Sequence, residues 1–186
     1  MKITGSSIFA VDPGALLASL QSTFPELDNV DVHVGFPAKV VIEAREREPL
    51  LFWEQTGLRV WVDADGVAFL PRGEVEGLVP VQAQDAPPMS EEAGKQNQLI
   101  TPAMVQAILQ LSEQAPEGTS LLYDPTHGLG WADPDGWQVY FGLSPENMPA
   151  RLAVYQSIAA DLQRKNIKPL LISVEFLHAP YYRLVP

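Results

Sequence analysis

Three turn signals set the scale of what this chain can build. Gly35-Phe36-Pro37, Asp63-Ala64-Asp65-Gly66 and Asp133-Pro134-Asp135-Gly136 each lie between short runs rich in Val, Ile and aromatic residues. Gly supplies positive φ, Asp bonds its own backbone, and Pro presets the bend, so each group turns the chain within a few residues. Val30, Val32 and Val34 alternate before the first turn, and Lys39 to Arg47 follows it. Arg59 to Val62 and Val67 to Phe69 flank the second; Leu129 to Ala132 and Trp137 to Phe141 flank the third. Runs joined this tightly pair antiparallel. Leu50 to Trp53, Ser120 to Tyr123 and Leu170 to Leu177 read as further strands.

Helical spacing recurs in three places. Asp12 and Pro13 are a cap and a first-turn proline ahead of Leu16, Leu17, Leu20 and Phe24. Thr101 and Pro102 do the same ahead of Met104, Val105, Ile108, Leu109 and Leu111. Pro149 opens a longer helix to about Lys165, with Leu152, Tyr155, Ile158, Ala159 and Leu162 on one face. Residues 71–98 are rich in Pro, Gly, Gln and Glu, with a Pro87-Pro88 pair, and read as a loop excursion. The fold class is α+β with a mainly antiparallel sheet. Residues 1–49 form an α-β-β unit whose one helix and two strands leave a sheet face and an edge uncovered. Residues 50–186 form a β domain carrying two helices, and Tyr181 to Val185 reads as a short tail.

Composition narrows the function. Lys and Arg total 12 against 23 Asp and Glu, a net charge of −11, so phosphate backbones and anionic membrane surfaces are repelled. The deficit is spread along the chain and forms no acidic tail. With no cysteine there is no disulfide, thiolate or Cys–zinc chemistry. No apolar run approaches the length of a membrane span, and Met1 is not followed by the pattern of a signal peptide.

Few residues carry a chemical signal. His33, His127 and His178 lie far apart, with no metal-ligand spacing between them. Asp124 and His127 are close enough to hold a proton or a metal, but a polar loop before Gly128 and Gly130 accounts for them more simply. No nucleophile elbow or phosphate-binding glycine loop occurs. Asp63-Ala64-Asp65-Gly66 opens like a calcium loop, but its Gly is fourth where an EF-hand needs it sixth. The charges from Glu43 to Glu48 read as a solvated strand face, and Trp53, Trp61, Trp131 and Trp137 read as core or rim. The expectation is a protein without catalysis, metal or cofactor. What remains is the run Leu170 to Leu177, apolar and with a single charge at Glu175. At a sheet edge, its amides would offer a template for a partner strand. A covered position in the sheet is the competing arrangement.

The run VVIEAREREP (Val40 to Pro49), then Leu50-Leu51-Phe52-Trp53, then VDADGVAF (Val62 to Phe69), resembles the FtsQ/DivIB family of cell-division proteins. Upstream, SSIFAVDPGALLASLQSTFPELDNVDVHVGFP resembles the second half of that family's POTRA module. Downstream, DGWQVYFG (Asp135 to Gly142), the 149–165 helix and the 170–177 run match the end of its β domain. The resemblance implies that residues 1–49 are a partial POTRA module. Its first strand and helix, and the family's membrane helix, are then expected upstream of Met1.

The resemblance also implies a role. FtsQ-like proteins are non-catalytic scaffolds on the outer, periplasmic or extracellular, face of the cytoplasmic membrane. They bind FtsB-like and FtsL-like division proteins and help to recruit septal wall synthesis. The partner adds a strand near the last β-strand, beside the long helix. On this chain the matching partner-binding positions are Ile172, Ser173, Val174, Glu175, Phe176 and Leu177, with Phe176 at the family's aromatic position. Where the family often has Asp-Leu-Arg, this chain has Ser173-Val174-Glu175, an acid in place of a base. The competing class is a POTRA-bearing transport or secretion component that binds unfolded polypeptide.

Overall fold

Asp12 starts the first helix, α1 (Pro13–Thr23), by accepting the Gly14 amide on its carboxylate at 2.9 Å, and Pro13 fills the first turn. The computed structural model describes residues 12–35, 39–86 and 97–184. α1 buries Leu16 and packs on β1 (Leu27–Gly35), which pairs antiparallel with β2 (Lys39–Glu46). Val32 faces Ile42 and Val34 faces Val40 across the pair. The turn expected at 35–37 lies largely outside the described residues. The α-β-β order of the expected unit is observed.

Among the described residues, nine strands build one sheet. In chain order they are β3 (Leu51–Gln55), β4 (Leu58–Val62), β5 (Ala68–Phe69), β6 (Val79–Ala83), β7 (Leu121–Asp124), β8 (Gly128–Ala132), β9 (Gln138–Gly142), β10 (Pro169–Ser173) and β11 (Tyr181–Leu184). Helix α2 (Pro102–Ser112) precedes β7, and α3 (Met148–Arg164) joins β9 to β10. Across the sheet the order is β11-β10-β9-β8-β7-β6-β3-β4-β5. Most pairs are antiparallel, as expected; β3–β6, β6–β7 and β9–β10 are parallel. Parallel neighbours need a crossover, and α3 supplies the one between β9 and β10.

Two expectations need correction. The 71–98 stretch is not all loop: Val79–Ala83 is β6, an interior strand between β3 and β7. Val81 and Ala83 are buried, which is what a strand facing a core requires. Pro80 hid it, because a proline lacks the N–H that a central strand normally donates. Pro87-Pro88 lies outside the described residues. The second correction is at the C-terminal end. The strand expected over Leu170 to Leu177 stops at Ser173, and the expected tail is β11. β10 therefore has β9 on one side and β11 on the other, so it is not an edge.

The core lies between one sheet face and the two helices. Trp53, Tyr123, Trp131, Phe141, Met148 and Ile172 are fully enclosed there, with Ile108 and Leu111 from α2. Trp131 packs against Phe141 at 4.7 Å and edge-on to Tyr155 at 5.3 Å. Burying each such side chain is worth about 2–3 kcal/mol. No helix among the described residues is long and apolar enough to cross a membrane.

The Asp63–Gly66 turn between β4 and β5 is built as its sequence predicts. One carboxylate oxygen of Asp63 accepts the amides of Asp65 at 3.0 Å and Val67 at 2.9 Å. Gly66 has φ +79, and a Cβ there would stand 1.8 Å from the Ile100 carbonyl oxygen. The Gly66 carbonyl accepts the Leu99 amide at 2.8 Å, so the turn is clamped to the segment entering α2. Gly66→Ala should therefore lose about 2 kcal/mol or more in urea denaturation. An unchanged midpoint would show that the clamp carries no stability.

Candidate interaction surface

Helix α3 backs the C-terminal strands, burying Met148, Leu152, Tyr155, Ala159 and Leu162. It also buries Arg151, whose Nη1 donates to the Phe141 carbonyl at 2.5 Å and to the Ser144 carbonyl at 2.8 Å. Burial lowers the pKa of this guanidinium, and the charges of Glu146 and Glu175 oppose that shift. Arg151 thus ties the start of α3 to the end of β9. A basic residue in a helix reads as surface, so nothing in the sequence pattern marks it as an anchor.

The six residues expected to bind a partner do not share one surface. Ile172, Ser173 and Val174 are buried, and the Val174 amide donates to the Tyr140 carbonyl at 2.9 Å. Glu175 sits in a polar knot. Its Oε1 accepts the Ser173 hydroxyl at 2.9 Å and lies 3.0 Å from His127 Nδ1. The His127 ring stacks on Tyr140 at 4.7 Å. Burial raises the Tyr140 pKa, with Asp124 and Glu175 adding to it. Phe176 and Leu177 are the exposed members, at 59% and 37%.

The Asp124–His127 pairing weighed from the sequence is a turn. The Asp124 carboxylate accepts the amides of Thr126 at 2.7 Å and His127 at 2.8 Å, while the imidazole faces Glu175 instead. Those partners are 48 residues apart, so no local pattern joins them. Among the described residues no cluster of His, Asp and Glu is arranged to hold a metal.

The open margin of the sheet is β11. Among the described residues it pairs only with β10, with Leu171 opposite Arg183, Ile172 opposite Tyr182 and Ser173 opposite Tyr181. Tyr181, Tyr182, Arg183 and Leu184 are all exposed. In an antiparallel strand, alternate residues turn both N–H and C=O away from their partner, so β11 presents free main-chain groups outward. The opposite margin is closed: the Ala68 amide of β5 donates to the Asn97 carbonyl at 2.9 Å, and Val67 bridges to Gln98.

A groove of about 560 Å³ runs between α3 and β11, lined by Ser157, Ile158, Asp161, Arg164, Tyr181 and Tyr182 among others. Hydrogen bonds from Lys165 and Arg164 hold the Asp161 carboxyl below its ordinary range. The Arg183 guanidinium lies 5.6 Å from the centre of the Tyr181 ring. Arg164 and Lys165 both pair with Asp161 at this groove.

Comparison with known proteins agrees with the sequence resemblance. No family model matches the chain. A 65-residue stretch is 37% identical to the cell division protein FtsQ of Streptomyces griseus, covering 35% of this chain and 31% of that protein. The FtsQ of Streptomyces venezuelae is 34% identical over 65 residues, 24% of its length. The chain is similar to the FtsQ cell-division proteins. The matched stretch spans less than a third of either relative.

Tyr155 gives the helix behind the groove a pH signature. Its hydroxyl donates to Asp133 at 2.8 Å, and burial, then Asp133, raise its pKa above the ordinary 10.0. A raised phenol contributes stability fully below the unfolded pKa and loses it as pH climbs from there towards the folded value. Tyr155→Phe should cost about 1 kcal/mol at pH 7 and flatten the stability loss above about pH 10. Urea titrations at both pH values check this; a variant whose stability falls as steeply as wild type above pH 10 would contradict it.

Proposed function

We propose that this chain is a non-catalytic scaffold of the bacterial division machinery, acting at the outer face of the cytoplasmic membrane. It takes an extended segment of an FtsB-like protein as an additional strand on β11, within a complex that includes an FtsL-like protein. Attachment to the membrane through a helix upstream of this chain is part of the same reading. The observation that carries the proposal is the open β11 margin beside the α3 groove, in a chain similar to FtsQ.

The chemistry fits strand addition. Main-chain pairing along β11 supplies affinity, and alternate side chains of the visitor select register. Ile172, Ser173 and Val174 support the margin from behind, and Glu175 fixes the turn that leads to it. Phe176 and Leu177 stand exposed in that turn and offer an apolar anchor.

Isothermal titration with an FtsB segment tests this. Of Tyr182→Pro and Arg183→Pro, one removes an outward amide, and that variant should lose at least tenfold in affinity, about 1.4 kcal/mol. Position 174 is unsuitable for such a test, because its amide is already used inside the sheet. Phe176→Ala should weaken binding by about 1–2 kcal/mol. Near-UV circular dichroism reports that the fold persists. Wild-type affinity in both proline variants would contradict the reading, and equal binding of any unfolded polypeptide would favour the transport component instead.

A further inference from the structure

Among the described residues, the core cluster of the large sheet includes no residue of the α1–β1–β2 unit. The main cluster of buried apolar residues runs from Leu51 to Val174; Leu16 and Val30, buried in the unit, are outside it, and Trp61, Val67, Phe69 and Tyr140 are buried apart from it. Among the described residues, no helix or strand of the unit packs broadly on an element of the sheet. Among the described residues, polar contacts around Arg47 join the two.

Arg47 reaches both sides. Its Nη1 meets Asp63 Oδ2 at 2.5 Å and Asp65 Oδ2 at 3.8 Å, both in the β4–β5 turn. Its Nη2 lies 3.6 Å from Asp28 Oδ1, and its Nε donates to the Pro25 carbonyl at 3.0 Å, both in the unit. Its amide donates to the Glu26 carbonyl at 2.8 Å. The Arg47 side chain is 12% exposed and that of Asp63 8%, so this contact is sheltered from salt. A second strap joins Arg72 Nη2 to Glu26 Oε1 at 2.6 Å.

We propose that the Arg47 cluster is a latch that fixes the direction of the α1–β1–β2 unit against the sheet, and that on its release the unit swings about Glu48-Pro49. Asp63 is a fixed strike plate, because its other oxygen is committed to the turn amides. The guanidinium fork bonds a carboxylate on one side and a carbonyl on the other at once; a single ammonium holds only one of them well. Units joined by polar contacts without a common core move relative to each other once those contacts go. The latch is beside β5, and β11 is the far margin of the sheet, on the order of 40 Å away at the usual strand spacing. The state of the latch therefore sets where β11 stands relative to the unit.

The absence of cysteine makes the test direct. Spin labels at Glu43→Cys on β2 and Ala153→Cys on α3, both exposed positions, report the angle by double electron–electron resonance. The latched chain should give one narrow distance distribution. Arg47→Gln should broaden it about twofold or more, and Arg47→Lys should fall between. Should Arg47→Gln unfold, the Arg47→Lys, Arg72→Gln double variant replaces it and should also broaden the distribution. A width equal to that of the unmodified pair in whichever variant is folded overturns the latch. The readout is independent of partner binding, so its failure leaves the strand-addition reading standing.

Discussion

Parallel neighbours cannot be joined by a hairpin, so α3 must carry the chain from β9 back along the sheet before β10 can form. That pairing is locked at its far end by the Val174 amide on the Tyr140 carbonyl, and from the helix by Arg151 on the Phe141 carbonyl. Once β10 is fixed against β9, the remaining chain has one place to go. The turn at Glu175 returns it, and β11 becomes the margin. The same crossover lays α3 alongside β11 and makes the groove. An open edge and a neighbouring groove are thus two results of one constraint.

Polar contacts divide the molecule differently from apolar ones. The sheet, α2 and α3 are held by one continuous apolar core. The α1–β1–β2 unit is held to it by ion pairs that converge on Arg47 and Glu26. Burying a charged pair costs desolvation that its attraction only partly offsets, so such a junction contributes more to geometry than to stability. Asp63 serves both layers, closing the β4–β5 turn with one oxygen and holding Arg47 with the other.

Local chemistry was legible in the sequence. Asp12-Pro13 and Thr101-Pro102 cap α1 and α2, because the atoms they bond lie two or three residues away. The Asp63–Gly66 turn is readable for the same reason. Strand identity failed where a single residue misleads: Pro80 hid β6 in the middle of the sheet. Strand order is not readable at all, since it depends on crossovers, so the sequence leaves Leu170–Leu177 open between an edge and a covered position; the margin is Tyr181–Leu184. Arg151 and the His127–Glu175 contact were missed because each joins elements that only the finished sheet brings together.

Amide hydrogen exchange of the chain with and without an FtsB segment tests the central claim most directly. In the free chain, β11 amides that face β10 should exchange slowly and the alternate ones fast. On addition of the segment, the fast β11 amides should become protected while those of β5 do not change. Protection that appears elsewhere, with β11 exchanging as before, would contradict the account.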